Sequence, residues 1–126
     1  MLLDTDVLID FLRGQTEARD FVASLPREVA VSAVTVAELH VSVREGAERQ
    51  ALEAMLATFL ILPLDDDTAR QGGLLRRDYG NSHGVGLNDA LIAATAQRHT
   101  LRLATLNIKH YPMLSGEQLM QPYRKH

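Results

Sequence analysis

The chain of 126 residues contains no cysteine and no tryptophan, and aromatic residues make up only 5% of it. Without cysteine, the chain has no disulfides, no thiolate nucleophile and no zinc site built on thiolates. The shortage of aromatic rings weakens any interpretation in which side chains stack on nucleic-acid bases. These absences leave the carboxylate, hydroxyl and imidazole side chains as the candidates for chemistry.

The sequence also lacks an excess of positive charge and a long apolar run. It has 13 Lys and Arg residues against 16 Asp and Glu residues, a formal net charge of −3. That balance argues against a protein that coats duplex DNA, which would need a basic face. The longest uncharged stretch, 54–64, is eleven residues long, whereas a membrane-spanning helix needs about 20. No export signal precedes Asp4, so we expect a cytoplasmic protein without a membrane partner.

The overall composition, 46% hydrophobic and 23% charged, is that of an average globular chain, and the length predicts one domain over residues 1–126. Apolar runs predict strands at 2–3, 29–31, 60–64 and 101–105 and a short edge strand at 118–120. Helices are predicted over 7–12, from a Thr16 cap to 25, from Thr35 to about 46, over 48–59, from 66 or 67 to 79, and over 89–99 behind an Asn88 cap. Three glycines predict a loop at 80–86, and the basic tail 124–126 is expected to be mobile.

Strands that alternate with helices predict an α/β fold, here an α/β/α sandwich around a central, mostly parallel sheet of four to five strands. In such sheets the functional groups gather beyond the carboxyl ends of the strands. Three acids map to that edge. Asp4 follows the first strand, Glu38 lies in the first turn of the helix after the second strand, and Asp89 opens the alanine-rich helix.

Acids at or near this edge also have structural explanations. Asp6 can cap the first helix, Glu38 can complete a capping box with Thr35, and Asp89 can complement a helix dipole. Taken together, however, the converging carboxylates of Asp4, Glu38 and Asp89 would repel one another unless a divalent cation neutralises them. Hard oxygen ligands suit Mg²⁺, with Mn²⁺ as a substitute. The expected chemistry is hydrolysis at phosphorus by a metal-activated water.

Three segments resemble the motifs of PIN-domain ribonucleases: LLDTDVLI at 2–9, SAVTVAEL at 32–39 and NDALIAATA at 88–96. Within that family the chain resembles the VapC-type toxins of toxin–antitoxin pairs over nearly its whole length. The resemblance implies that Asp4 and Asp89 bind Mg²⁺ directly and that Glu38 does so directly or through water. It also implies Mg²⁺-dependent cleavage of RNA that leaves 5′-phosphate and 3′-hydroxyl ends. The implied partners are a second copy of the chain, in a homodimer or a larger hetero-oligomer, and a cognate antitoxin that blocks the site with a C-terminal segment, often through an Arg.

The resemblance further implies a set of small polar residues around the three acids. These are Thr5, Asp6, Ser32, Thr35 and Thr105. The family often has a fourth acid within the pattern Thr-x-Asn/Asp-x-x-Asp-Phe, and the corresponding run here is TLNIKHY at 105–111. Asn107 and His110 stand where an acid is common. Asn107 can still orient a ligand or a water, and His110 can contact phosphate, so the number of metal ions, one or two, stays open.

Other classes of protein share parts of this pattern. The Asp-x-Asp pair Asp4 and Asp6 also begins the haloacid-dehalogenase-like phosphatases, which need a later lysine, and Lys109 is the only internal one. A non-catalytic receiver-like signalling domain would use Asp4, Asp6, Asp65, Thr105 and Lys109. That plan leaves Glu38 and Asp89 without a role. A PIN fold that binds RNA without cutting it would differ from the nuclease only in activity.

Overall fold

The computed structural model describes residues 1–26 and 28–124, and five short strands within them form one sheet. The strands are β1 (Leu2–Leu3), β2 (Ala30–Ser32), β3 (Leu60–Leu62), β4 (Leu103–Ala104) and β5 (Leu119–Met120). They lie in the order β3-β2-β1-β4-β5, and every neighbouring pair is parallel. The parallel sheet and its short edge strand are therefore confirmed. Of the tail predicted to be mobile, Lys125 and His126 lie outside the described residues.

Six α-helices connect the strands within the described residues: α1 (Thr5–Leu12), α2 (Thr16–Ser24), α3 (Ala33–Val41), α4 (Ala47–Leu56), α5 (Asp66–His83) and α6 (Leu87–Arg98). A 3₁₀ turn at Ile108–His110 lies between β4 and β5. Across the part of the chain that the structure describes, no helix combines the length and the apolar character needed to cross a membrane.

Successive residues of β1 face opposite sides of the sheet. Leu2 belongs to one buried cluster with Ile92 of α6, whereas Leu3 belongs to another with Val7 of α1 and Leu52 of α4. Burying side chains of this size stabilises the fold by about 1.5–3 kcal/mol each. Because helices cover both faces of the sheet, the molecule has the three layers that the alternating pattern predicts.

The strand order places a topological switch point beside β1. The chain moves outward from β1 to β2 and β3 and then returns to β4, on the other side of β1. Asp4 directly follows β1, and Thr105 directly follows β4. The Asp4 backbone amide donates to the Ala104 carbonyl at 2.9 Å. Ligands of parallel α/β sheets bind in the crevice at such a point. Receiver domains have the flavodoxin-like order 2-1-3-4-5, so the order found here excludes that alternative.

Close packing between α5 and α6 fixes the alanine-rich helix. A methyl group added at Gly72 of α5 would lie 2.4 Å from Leu91 Cδ2 and 3.1 Å from Leu91 Cα, whereas one at Gly73 would meet nothing within 4 Å. Most of α6 from Ala90 to Ala96 is buried, as its composition predicts. Gly72 therefore allows the approach that positions the first turn of α6, which carries Asp89.

Two of the predicted helix caps near the acids are wrong. Asp4, not Asp6, caps α1, and its Oδ1 accepts from the Thr5 amide at 2.8 Å. Ser32, not Thr35, caps α3, and its Oγ accepts from the Val34 amide at 3.0 Å. In both cases the helix begins almost immediately after the strand, so the polar residue at the junction between strand and helix becomes the cap. The proposed capping box of Thr35 and Glu38 does not form.

Other boundaries also differ from the prediction. Thr16 and Asn88 lie inside their helices, because the N-caps are at positions 15 and 86. Helix α3 ends at Val41 rather than near 46. Only residues 84–86 of the predicted loop at 80–86 lie outside a helix, because α5 continues to His83. It ends only at Gly84, where a φ of 67° suits glycine and the amide donates to the Gly80 carbonyl.

Candidate active site

A cleft of about 180 Å³ opens at the carboxyl edge of β1 and β4. The described residues that line it are Asp4, Thr5, Asp6, Ile9, Glu38, Asp89, Asn107 and His110. Four of them are acidic, and this lining contains neither Lys nor Arg. The three acids that the sequence predicts at one sheet edge thus meet around one cleft. Asp4 comes from the β1–α1 junction, Glu38 from α3 and Asp89 from α6.

Asp4 is 6% exposed and is held by three hydrogen bonds. Its Oδ1 accepts from the Thr5 amide, and its Oδ2 accepts from the Thr105 hydroxyl and the Tyr111 phenol, each at 2.8 Å. Burial raises the pKa of the Asp4 carboxyl above its ordinary value, and these hydrogen bonds oppose the rise. Asp4 is therefore a fixed carboxylate whose donors in these bonds are all neutral.

Glu38 reaches the cleft from the middle of α3 and is half-buried. The prediction that it lies in the first turn is wrong, because α3 begins at Ala33, directly after β2. The Thr5 hydroxyl donates to its Oε1 at 2.7 Å, and the hydroxyl of the fully buried Thr35 lies 3.0 Å from that of Thr5. Asn88, predicted to cap α6, instead extends its amide to 3.4 Å from Glu38 Oε2. The structure therefore brings Thr5 to Glu38 and Thr35 to Thr5, while the contact on Glu38 Oε2 is long.

Asp89 lies in the first turn of α6, as predicted, and is half-buried. Its Oδ1 lies 3.4 Å from the Tyr111 hydroxyl, and its Oδ2 lies 3.4 Å from His110 Nδ1. Burial raises the pKa of Asp89, His110 opposes that rise, and the negative charge of Glu38 adds to it. Asp4 and Asp89 are thus two carboxyls with raised pKa values in one cleft, an arrangement that a bound cation would stabilise.

The remaining predicted residues divide between the cleft and its supports. Asp6 Oδ2 accepts from the Leu106 amide at 3.1 Å and lies 3.4 Å from the Thr105 hydroxyl, so it ties α1 to the segment after β4. Asn107 lies at the cleft, and its backbone N–H donates to Thr105 Oγ1 at 3.1 Å. Ser32 is buried outside the cleft lining and caps α3. Its role in the site remains a prediction.

Tyr111 is not among the site residues that the sequence predicts, although its hydroxyl contacts two of them. Burial and the neighbouring charge of Asp4 raise its pKa far above the usual range, so the phenol remains a hydrogen-bond donor. The signal in the sequence is the last position of TLNIKHY, where the family pattern ends in Phe. A tyrosine there brings one polar atom into the core, and that atom needs a partner.

The side chains fit a hard divalent cation by their chemistry but do not form a ready-made cage. Within residues 1–26 and 28–124, no group of three or more His, Asp or Glu side chains is arranged to hold a metal ion by itself. Mg²⁺ keeps several waters and binds proteins through one or two carboxylates together with substrate oxygens. Asp4 and Asp89, linked by the Tyr111 hydroxyl, are suitable carboxylates of this kind, and Glu38 adds a third.

The fold and the cleft define a class of protein: a small α/β domain with an all-parallel sheet and an acidic, oxygen-donor site at its switch point. The PIN domain family matches residues 1–111. The chain therefore belongs to the PIN domain family, as its three motifs predict.

Relatives cover nearly the whole chain. Ribonuclease VapC10 of Mycobacterium tuberculosis is 44% identical over 126 residues, which cover 98% of this chain and 92% of the relative. Ribonuclease VapC19 of the same organism is 40% identical, with 97% and 98% covered. Among solved structures, a toxin–antitoxin complex from Klebsiella pneumoniae matches with a TM-score of 0.83, 32% identity and 98% of each chain covered. These findings confirm the resemblance to VapC-type PIN domains, and membership of that family argues against the haloacid-dehalogenase alternative.

Proposed function

We propose that the chain is a Mg²⁺-dependent endoribonuclease and acts as the toxin of a VapBC-type pair. The observation that carries this proposal is the meeting of Asp4, Glu38 and Asp89 around one cleft whose described lining contains no Lys or Arg. Relatives named ribonucleases, at 44% and 40% identity, support RNA as the substrate. A relative from Neisseria gonorrhoeae that is 36% identical over 121 residues is named a toxin, which supports the biological role.

In this proposal Asp4 and Asp89 share one task and Glu38 has another. Asp4 and Asp89 hold Mg²⁺, for which Mn²⁺ can substitute, and Glu38 takes part directly or through water. When bound, the cation neutralises the carboxylates, activates a water and stabilises the leaving oxygen at phosphorus. Thr5 fixes Glu38 Oε1. Oε2, whose contact with Asn88 is long, is left to orient a water.

Asn107 and His110 complete the rim of the cleft, where a phosphodiester would enter. Both are exposed and carry donors that can contact phosphate oxygens. His110 also lies next to Asp89, so its contact with phosphate would remain close to the proposed cation. Because neither residue is an acid, the site has fewer carboxylates than the family often supplies for a second ion.

The antitoxin and the oligomeric state belong to the same proposal. The Klebsiella pneumoniae relative was solved as a toxin–antitoxin complex, which supports a cognate antitoxin for this chain. A larger groove of about 530 Å³ adjoins the cleft, shares Ile9 and Glu38 with it, and is lined by the apolar side chains of Leu12, Leu39 and Leu52. An inserted antitoxin segment could occupy it. A homodimer or a larger hetero-oligomer and a cytoplasmic location stay predictions.

RNA cleavage by purified variants tests the proposal. Asp4→Asn and Asp89→Asn are expected to lower Mg²⁺-dependent cleavage by at least about a hundredfold, because each removes a charge that holds the cation. The matched control is Asp65→Asn, since Asp65 is an exposed helix cap outside the cleft and asparagine caps equally well. The control should cleave as the wild type does. Unchanged cleavage by both cleft variants would refute the site.

A growth assay tests the toxin role separately. Expression of the wild-type chain without an antitoxin is expected to slow bacterial growth, and Asp4→Asn is expected to relieve that effect. Equal inhibition by the variant would remove nuclease activity as the cause. Mapping of 5′ ends in cellular RNA, after induction of wild type or Asp89→Asn, would then identify the cleaved transcripts.

A further inference from the structure

The Tyr111 hydroxyl occupies the space between two of the proposed cation ligands. It donates to Asp4 Oδ2 at 2.8 Å and lies 3.4 Å from Asp89 Oδ1. The ring is 1% exposed and belongs to the buried cluster that contains Leu2 and Ile92. A phenol fixed in this way by the core cannot swing aside, so its hydroxyl is a permanent neighbour of both carboxylates.

The hydrogen bonds of Asp4 show what this neighbour does. An ionised carboxylate offers about four lone-pair positions, two on each oxygen. Thr105 and Tyr111 use both positions on Oδ2, and the Thr5 amide uses one on Oδ1. One position, on Oδ1, remains for a further ligand among these contacts. Tyr111 therefore takes up a position that a cation could otherwise use.

We propose that Tyr111 is a positioning residue that stabilises the cleft without metal and weakens its binding of divalent cations. The inference rests on the proposed function, because it takes Asp4 and Asp89 as cation ligands. A hydrogen-bond donor on a carboxylate withdraws electron density from it and so makes it a weaker ligand. The same donor stabilises the buried Asp4 carboxylate and the half-buried Asp89 carboxylate when no cation is present. Both effects lower the free energy gained on binding.

Loss of orientation acts in the opposite direction, since partners of metal ligands usually support binding. At Asp4 this effect is small, because the Thr5 amide and the Thr105 hydroxyl remain to hold the carboxylate after Tyr111 loses its hydroxyl. At Asp89 the lost contact is long, 3.4 Å. The weakening effect of the phenol therefore exceeds its orienting effect.

Calorimetric titration of the full chain with Mn²⁺ tests the inference without any measurement of activity. Tyr111→Phe is expected to bind Mn²⁺ about fivefold more tightly than the wild type, the change that corresponds to one hydrogen bond of ordinary net strength. Its metal-free form should unfold at a lower temperature. Tyr123→Phe is the matched control, since its phenol donates to Asp10 Oδ2 at 3.0 Å, away from the cleft lining. The control should keep the wild-type affinity.

A spectroscopic measurement keeps the inference testable even if Tyr111→Phe does not fold. The chain has three tyrosines and no tryptophan, so its near-ultraviolet spectrum reports on tyrosine. Mn²⁺ should produce a tyrosine difference spectrum in the wild type and in Tyr123→Phe, because the cation perturbs the phenol beside Asp4. Two results would overturn this inference but not the proposed cation site. One is wild-type protein that binds Mn²⁺ without a tyrosine difference spectrum, and the other is Tyr111→Phe with an affinity for Mn²⁺ equal to or weaker than that of the wild type. Wild-type protein that binds no Mn²⁺ would overturn the proposed cation site as well.

Discussion

Replacing Gly72 by alanine tests the packing that positions Asp89. Gly72 and Gly73 both lie inside α5, and either change to alanine gains about 1 kcal/mol of intrinsic helix stability. At Gly73 the new methyl group meets nothing within 4 Å, so Gly73→Ala is expected to stabilise the fold by about 1 kcal/mol. At Gly72 the new carbon would lie 2.4 Å from Leu91 Cδ2 and 3.1 Å from Leu91 Cα.

The two contacts at Leu91 differ in how easily they relax. The Leu91 side chain can rotate away from the new methyl group, but its Cα is part of the α6 backbone and moves only if the helix moves. Overpacking of this kind typically costs about 1–3 kcal/mol. Gly72→Ala is therefore expected to be less stable than Gly73→Ala by about 1–3 kcal/mol, a difference of about 4–12 °C in the unfolding midpoint.

Urea unfolding of the two variants, followed by circular dichroism in the presence of a chelator, gives this difference directly. RNA cleavage measured on the same samples adds a functional readout. Because Leu91 lies two positions after Asp89, a displaced α6 should lower cleavage by Gly72→Ala but not by Gly73→Ala. Equal stability of the two variants would show that α5 and α6 do not approach closely at Gly72, and would refute this account of how α6 is positioned.

Other substitutions probe a helix cap, the buried carboxylate and the response to pH. Ser32→Ala removes the side-chain cap of α3 and should lower the free energy of unfolding in urea by about 1 kcal/mol. Thr105→Val removes the hydrogen bond to Asp4 together with the one that Thr105 accepts from the Asn107 backbone N–H, and should cost about 1–3 kcal/mol in the same assay at neutral pH, with a smaller cost in acid, where Asp4 is neutral. Asp89→Asn should stabilise the metal-free protein at neutral pH, since the folded-state pKa of Asp89 is raised above 3.8 and ionisation therefore favours unfolding. Thermal unfolding with a chelator should show this advantage vanish below about pH 3.8, the unfolded value, and grow as the pH rises through the folded pKa. An advantage confined to acid would contradict the direction of that shift.

The layered fold could be predicted because its signals are local. The run of small and apolar residues from Ala90 to Ala96 identifies a helix buried on all sides. The alternation of short apolar runs with helical spacing then requires a parallel sheet, and the rule for such sheets brings Asp4 and Asp89 to one edge. Their burial in one cleft is therefore a consequence of the strand order rather than of any single motif.

Helix starts could not be predicted as well because they depend on where strand pairing stops. Ser32 and Thr35 are both good caps by residue type, and spacing alone favours Thr35 because Glu38 follows three positions later. The pairing of β2 with β3 continues to Ser32, however, and the helix begins at the next residue. The choice between the two caps is thus made by a contact with another strand.

The missing part of the predicted site depends on contacts between distant positions. Tyr111 donates to Asp4 across 107 positions of sequence, and no local pattern specifies that a ring at 111 points its hydroxyl at the first strand. Asn88 is similar, since its amide reaches Glu38 in α3 instead of capping its own helix. Residue types that can bear chemistry are visible in the sequence, whereas the donors that hold them are fixed only by the packed core.

Capping and catalysis are alternative roles when each acid is considered from the sequence, but at Asp4 they coincide. Its Oδ1 caps α1 through the Thr5 amide, while its Oδ2 accepts from Thr105 and Tyr111. Asparagine can keep the cap, because its amide oxygen accepts the same bond and it ranks with aspartate as an N-cap residue. It removes the charge and places an NH2 group where Oδ2 accepts from Thr105 and Tyr111, so those two hydroxyls must turn to accept instead. Alanine would remove the cap as well as the charge, so an inactive Asp4→Ala could not separate a damaged helix from a lost ligand. Asp4→Asn that stays folded at the assay temperature and does not cleave would assign the loss to the missing carboxylate rather than to a damaged helix.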